Sequence, residues 1–186
     1  MDSHIVNMGQ MKVKKDSGTL ICLGLGSCVG IVLYDPVTKV GGIAHVMLPV
    51  ETMHEARSRK QDEYTPAKFA DRAVEFMIQK MVCHGSNRRS IKAMLFGGAN
   101  MFPNLITDQL LDIGKRNIEV VKQELVRFQI ELVAEEVGGF VGRAVGINLS
   151  NGEIWMQWFN EQGGFYERER EGAWQGSSNC YFPTSE

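Results

Sequence analysis

The chain has 186 residues, 44% of them apolar and 23% charged, with 20 Lys and Arg against 22 Asp and Glu for a net charge of −2. That length supports one substantial core, and the composition excludes a disordered or fibrous protein. The missing basic surplus argues against nucleic acid or an anionic membrane surface as partner. The first twenty residues, MDSHIVNMGQMKVKKDSGTL, lack a continuous apolar stretch, and no window reaches the ~20 apolar residues of a membrane helix. A cytoplasmic protein without membrane insertion is expected.

In chain order, residues 20–25 and 28–34 read as short apolar strands broken by Gly24, Gly26 and Ser27, and Val40 to Leu48 as another. The polar stretch ETMHEARSRKQDEYT reads as a surface loop. Thr65 and Pro66 suit a cap and first helical position, and Ala70, Ala73, Val74, Met77 and Met81 have helical spacing ahead of a stop at Gly85. IKAMLFGGA, from Ile91 to Ala99, predicts a strand running into a glycine turn. KRNIEVVKQELVRF puts Ile118, Val121, Leu125 and Phe128 on one helical face. INLSNGEIWMQWF predicts a hairpin in which Asn151 and Gly152 take the two positive-φ positions of a type I′ turn. The pattern is α+β, with helices covering sheets that are largely antiparallel.

Four cysteines, at 22, 28, 83 and 180, form no Cys-x-x-Cys pair and lack histidines at zinc-finger spacing, so neither structural zinc nor disulfides are expected. Cys28 stands apart because it lies in GLGSCVGIVLYDP. If Asp35-Pro36-Val37-Thr38 closes a type I turn, Cys28 lies directly opposite His45, within reach of a thiol–imidazole hydrogen bond. A three-residue loop would put Val46 there instead. An imidazole that takes the thiol proton makes the thiolate that attacks a carbonyl, and nearby glycine amides can stabilise the resulting oxyanion. Gly24, Gly26 and Gly30 give a spacing one residue too long for the dinucleotide fingerprint, and a strand follows where that motif needs a helix.

LGLGSCVGIVLYDP, followed in order by VGGIAHVMLP, FGGANMF, IGKRN and GGFVGR between Val6 and Met156, resembles the chemoreceptor glutamine deamidase family of bacterial chemotaxis, CheD. The resemblance implies a β-sandwich of mixed, largely antiparallel sheets flanked by helices, similar to the catalytic domains of deamidating toxins. It also implies a cytoplasmic enzyme that converts glutamines of methyl-accepting chemotaxis receptors to glutamate, releasing ammonia and needing no metal or organic cofactor. By motif, Cys28 is the nucleophile and His45 its general base. The family's third catalytic residue, a threonine six positions before the cysteine, falls on Cys22. Gly26, Ser27, Gly97 and Gly98 are the residues expected to border the substrate. A CheC-type phosphatase is the implied protein partner.

Two other readings use the same residues differently. Replacement of the threonine by Cys22 allows a catalytically weakened module that binds a CheC-type phosphatase or the receptor array. A general cysteine peptidase would need a peptide-specificity pocket, which no motif indicates. Residues 1–156 read as the deamidase-like domain and 157–186 as an aromatic-rich extension. The chain from Trp155 onward holds all three tryptophans and eight of the sixteen aromatic residues. That density favours docking on the body or on a partner, with Trp158, Phe159 and Trp174 burying surface. His4 is expected in a frayed terminus, and Arg143 to pair with Glu135 or Glu136.

Overall fold

VGIVLYD and VGGIAHV, apolar without alternation, form adjacent strands β4 (Val29–Asp35) and β5 (Val40–Val46) that are buried on both faces. The computed structural model describes residues 2–53, 65–101 and 112–159, together with the backbone of 165–166 and 179–181. The other strands are β1 (Ser3–Ile5), β2 (Met11–Lys15), β3 (Thr19–Leu25), β6 (Lys92–Gly97), β7 (Glu131–Val137), β8 (Arg143–Asn148), β9 (Glu153–Phe159), β10 (Phe165–Tyr166) and β11 (Asn179–Tyr181). Among the described residues two α-helices accompany them, α1 (Ala70–Cys83) and α2 (Ile113–Arg127).

One sheet runs β2-β5-β4-β6-β7. The other runs β1-β3-β8-β9-β10, with β11 also paired to β9. Among the described strand pairs only β1 with β3 and β6 with β7 are parallel, so the sheets are largely antiparallel as expected. Leu20, Leu25, Val145 and Ile147 of one sheet meet Val32, Ile43, Met94 and Phe96 of the other. On the far side of β4 and β5, Ile31, Leu33 and Ala44 pack on Ala73, Met77, Val121 and Leu125 of the helices. The result is a sandwich with both helices on one outer face. Each fully buried aliphatic or aromatic side chain contributes about 1.5–3 kcal/mol.

Four local expectations are corrected. Asp35 pairs with Val40, so the β4–β5 loop is the four residues 36–39 rather than a two-residue turn. The Asp35 carboxylate accepts from the Val37 and Thr38 amides and the Thr38 hydroxyl, and Lys39, at φ +53°, closes the loop in a conformation that a lysine does not advertise. The β8–β9 hairpin also has a four-residue loop, because Asn148 pairs with Glu153. There only Gly152 has positive φ, while Asn151 accepts from the Glu153 amide through its side chain. Helix α1 begins at Ala70, behind a 3-10 turn at Pro66–Lys68, because Phe69 is extended and bridges to Leu48. Thr65 makes no side-chain cap bond.

The fourth correction concerns His4, which lies in β1 beside Asp2 and Lys14 rather than in a frayed end. The stripe Ala70, Ala73, Val74, Met77 and Met81 is buried, and Gly85 follows the helix at φ +98°. Most of the polar loop after Glu51, including His54, lies outside the described residues, as does Trp174. Strand β9 runs through the boundary drawn between 156 and 157, and Trp158 is buried. The backbones of β10 and β11 both add to β9. Among the described residues no helix is long and apolar enough to cross a membrane.

Candidate active site

The ends of β3, β5 and β6 and the start of β4 meet at one end of the sandwich. A bulge between Cys22 and Leu25 of β3, with Gly24 at φ +69°, turns Leu25 into the core and leaves Leu23 and Gly24 exposed. Gly26, Ser27 and Cys28 then carry the chain from one sheet to the other. All three carbonyls of this crossing are anchored. Gly26 O accepts from the Ala99 amide at 2.7 Å, Ser27 O from Asn117 Nδ2 at 3.0 Å, and Cys28 O from the Gly98 amide at 2.7 Å. The Ser27 and Cys28 amides donate to no group among the described residues. Ser27 is exposed and Cys28 half-buried.

His45 stands opposite Gly30, not Cys28, because the four-residue loop shifts the register by two. A shift of two keeps the face. His45 therefore shares the face of Ile43, which looks across at the other sheet, and Cys28 packs against the same cluster. The two residues are diagonal neighbours, a relation that places them about 7–8 Å apart with their Cβ atoms somewhat closer. The expected thiol–imidazole hydrogen bond is not made. His45 is 1% exposed, and neither ring nitrogen has a hydrogen-bond partner among the described residues. Burial pushes its pKa below the usual imidazole value, the Val6 backbone pulling the lesser way upward. Burial pushes the Cys28 thiol up.

Cys22 is fully buried in the inter-sheet core, its thiol raised by burial and then by the nearby Cys28. It belongs to the cluster on which Cys28 packs. Cys83, by contrast, is exposed at the end of α1. Gly97 and Gly98 are both buried, behind the crossing rather than beside open space. A Cβ on Gly97 would lie 2.4 Å from Cys28 O, and one on Gly98 would lie 2.5 Å from Ile118. Among the described residues no group of three or more His, Cys, Asp or Glu could hold a metal.

Sequence reasoning missed the parts that two residues of this region play. Asn117, from IGKRN, binds the crossing. Arg143, from GGFVGR, is 4% exposed and donates to the carbonyls of Gly97, Glu136 and Gly138. Among the described residues its carboxylate neighbour is Glu136 at 3.8 Å, and backbone carbonyls replace most of the expected ion pairing. Burial lowers the guanidinium to about 10. The glycines allow a direct test of close approach. Gly97→Ala, at φ +95° and against backbone, is expected to cost about 2–5 kcal/mol, a melting-temperature drop on the order of 10 °C. Gly138→Ala, at φ +75° with nothing within 4 Å, is expected to lose clearly less. Equal losses in thermal melts would contradict this.

A half-buried thiol and a buried imidazole with free nitrogens on one sheet face can take a proton from sulfur and attack a carbonyl carbon. A family model described as CheD chemotactic sensory transduction matches residues 47–158. The "Probable chemoreceptor glutamine deamidase CheD" of Thermococcus kodakarensis is 41% identical over 152 residues, covering 82% of this chain and 90% of its own. The "Chemoreceptor glutamine deamidase CheD" of Halalkalibacterium halodurans is 41% identical over 143 residues, covering 77% and 85%. The crystal structure of Bacillus licheniformis hypothetical protein YfiH overlaps 63% of this chain and 45% of its own with TM-score 0.38 and 19% identity, too partial a likeness to argue from. The chain belongs to the CheD family.

Proposed function

We propose that the chain is a chemoreceptor glutamine deamidase, acting in the cytoplasm on glutamine side chains of methyl-accepting chemotaxis receptors. The observation that carries the reading is His45, a buried imidazole with two unpartnered nitrogens on the face shared with Cys28. A buried polar group without partners calls for a reason, and proton transfer is one. In the proposed reaction Cys28 Sγ bonds to the carboxamide carbon while His45 takes the thiol proton. The Ser27 and Cys28 amides, facing away from their anchored carbonyls, are the donors for the oxyanion. The C–N bond then breaks, His45 returns the proton, and ammonia leaves. Water activated by His45 cleaves the thioester, giving glutamate and the free thiol. Ammonia release from a receptor cytoplasmic fragment tests the reading.

Burial raises the Cys28 thiol and lowers the His45 imidazole, so both are neutral before substrate arrives. His45 fails as a base only once protonated. The acid limb of kcat/KM is therefore expected below the ordinary imidazole value of about 6.5. A pH–rate profile with its acid midpoint above that value would contradict a buried neutral base.

Cys22 separates this reading from the second one, a binding module for a CheC-type phosphatase or the receptor array. Cys22 holds the family's threonine position and packs beside Cys28, but a thiol is a weak hydrogen-bond partner. Cys22→Thr is expected to raise the deamidation rate about tenfold with little change in receptor affinity. If neither form releases ammonia while both bind a partner, the module reading stands instead. In either case a CheC-type phosphatase is the partner we propose alongside the receptors.

A further inference from the structure

The crossing that carries Cys28 belongs to neither sheet, and the Cys28 and His45 side chains make no direct bond. The β4–β5 ladder starts at Val29 and Val46, and beyond it a side chain ties the two segments, that of Asn117, fully buried in the second turn of α2. Its Nδ2 donates to Ser27 O at 3.0 Å and to Met47 O at 3.0 Å. Ser27 immediately precedes Cys28, and Met47 follows His45 by two residues. Both acceptors are carbonyls, so only an NH₂ group satisfies them and the orientation of the amide is fixed by chemistry. The helix that presents it is itself held close. Gly114 lies against the Gly98 carbonyl, where a Cβ would come within 2.6 Å, and Asp112 caps the helix by accepting from the Lys115 amide. Gly98 in turn donates to Cys28 O.

Resting on the deamidase reading, we propose that Asn117 is a positioning residue, whose single amide group sets the separation of the Cys28 crossing from the β5 end that carries His45. A core asparagine could be replaced by two apolar neighbours, but this one spans two segments that bring reacting groups from different strands. Without it Ser27 O and Met47 O lose their common donor, and the crossing is left with its backbone bonds to Gly24, Gly98 and Ala99 and the β4 pairing that starts at Val29. Misplacement of a reacting group by about 1 Å can cost about 10²-fold in rate.

Asn117→Ala is therefore expected to lower kcat about 10- to 100-fold with KM within about twofold, measured well below the melting temperature. A second readout does not need turnover. The pH dependence of Cys28 alkylation by iodoacetamide, read by peptide mapping, is expected to shift its midpoint downward as the loosened crossing exposes the thiol. Should the alanine variant not fold, Asn117→Ser, which leaves room for a water to take over the carbonyls, serves for both measurements. An unchanged kcat, or an unchanged alkylation midpoint, would overturn the proposal. If the unaltered protein releases no ammonia from receptor fragments, the deamidase reading fails on its own, and the alkylation midpoint alone decides whether Asn117 sets the Cys28 environment.

Discussion

Cys28→Ala is expected to lower ammonia release by at least about 10⁴-fold while the melting temperature moves by only a few degrees. The two halves of that expectation have separate causes. The thiol is the only group proposed to bond to the substrate carbon, so no neighbour replaces it. Its structural role is small, because Cys28 is half-buried at the margin of the inter-sheet cluster and its segment is held through backbone carbonyls rather than through sulfur. Loss of one sulfur there costs about 1 kcal/mol. A large fall in stability, or residual activity near that of the unaltered protein, would contradict the assignment.

His45→Leu is expected to lower the rate about 10²–10⁴-fold, the range for loss of a general acid–base group, with stability equal to or above that of the unaltered protein. Ordinarily a buried polar side chain earns its place through hydrogen bonds, but neither nitrogen of this ring has a partner among the described residues. Exchanging it for an apolar group of similar size removes a desolvation cost that outweighs the opposing pull of the Val6 backbone. The pH dependence of stability adds a second signature. Because burial lowers the folded-state pKa of His45, the unfolded chain binds the proton first as pH falls. Stability is then lost from about pH 6.5 downward through the folded-state value, and the leucine variant lacks this contribution. Melts at neutral and mildly acidic pH check both points. A variant that melts far lower at neutral pH would make His45 a structural residue.

Much of the fold was legible because it rests on periodicity. The helical stripe from Ala70 to Met81, the unbroken apolar runs of β4 and β5, and the glycine turn after β6 each follow from spacing and residue type. The errors fell where one residue departs from its usual conformation. Lys39 at φ +53° lengthens a loop that Asp35-Pro36 suggested would be tighter, which moves Cys28 from directly opposite His45 to a diagonal place. The face was right because the error was even-numbered. Phe69 spends its backbone on a bridge to Leu48, so Pro66 starts a 3-10 turn and not the helix.

The candidate site was legible in part for the same reason. Cys28 and His45 stood out by chemical type and neighbours, whereas Asn117 and Arg143 act on carbonyls of remote segments. A sequence carries no local signal for which carbonyl a distant side chain will find. Gly97 and Gly98 were legible as glycines that matter, but the backbone they admit is that of Cys28 and α2.

The most direct test of the central claim is mass spectrometry of a receptor cytoplasmic fragment after incubation with the unaltered protein and with Cys28→Ala. The unaltered protein is predicted to convert particular glutamines to glutamate, seen as the mass gain of an amide exchanged for an acid, and the variant to leave every glutamine unchanged. Equal conversion by both proteins, or none by the unaltered protein on a fragment it binds, would contradict the account.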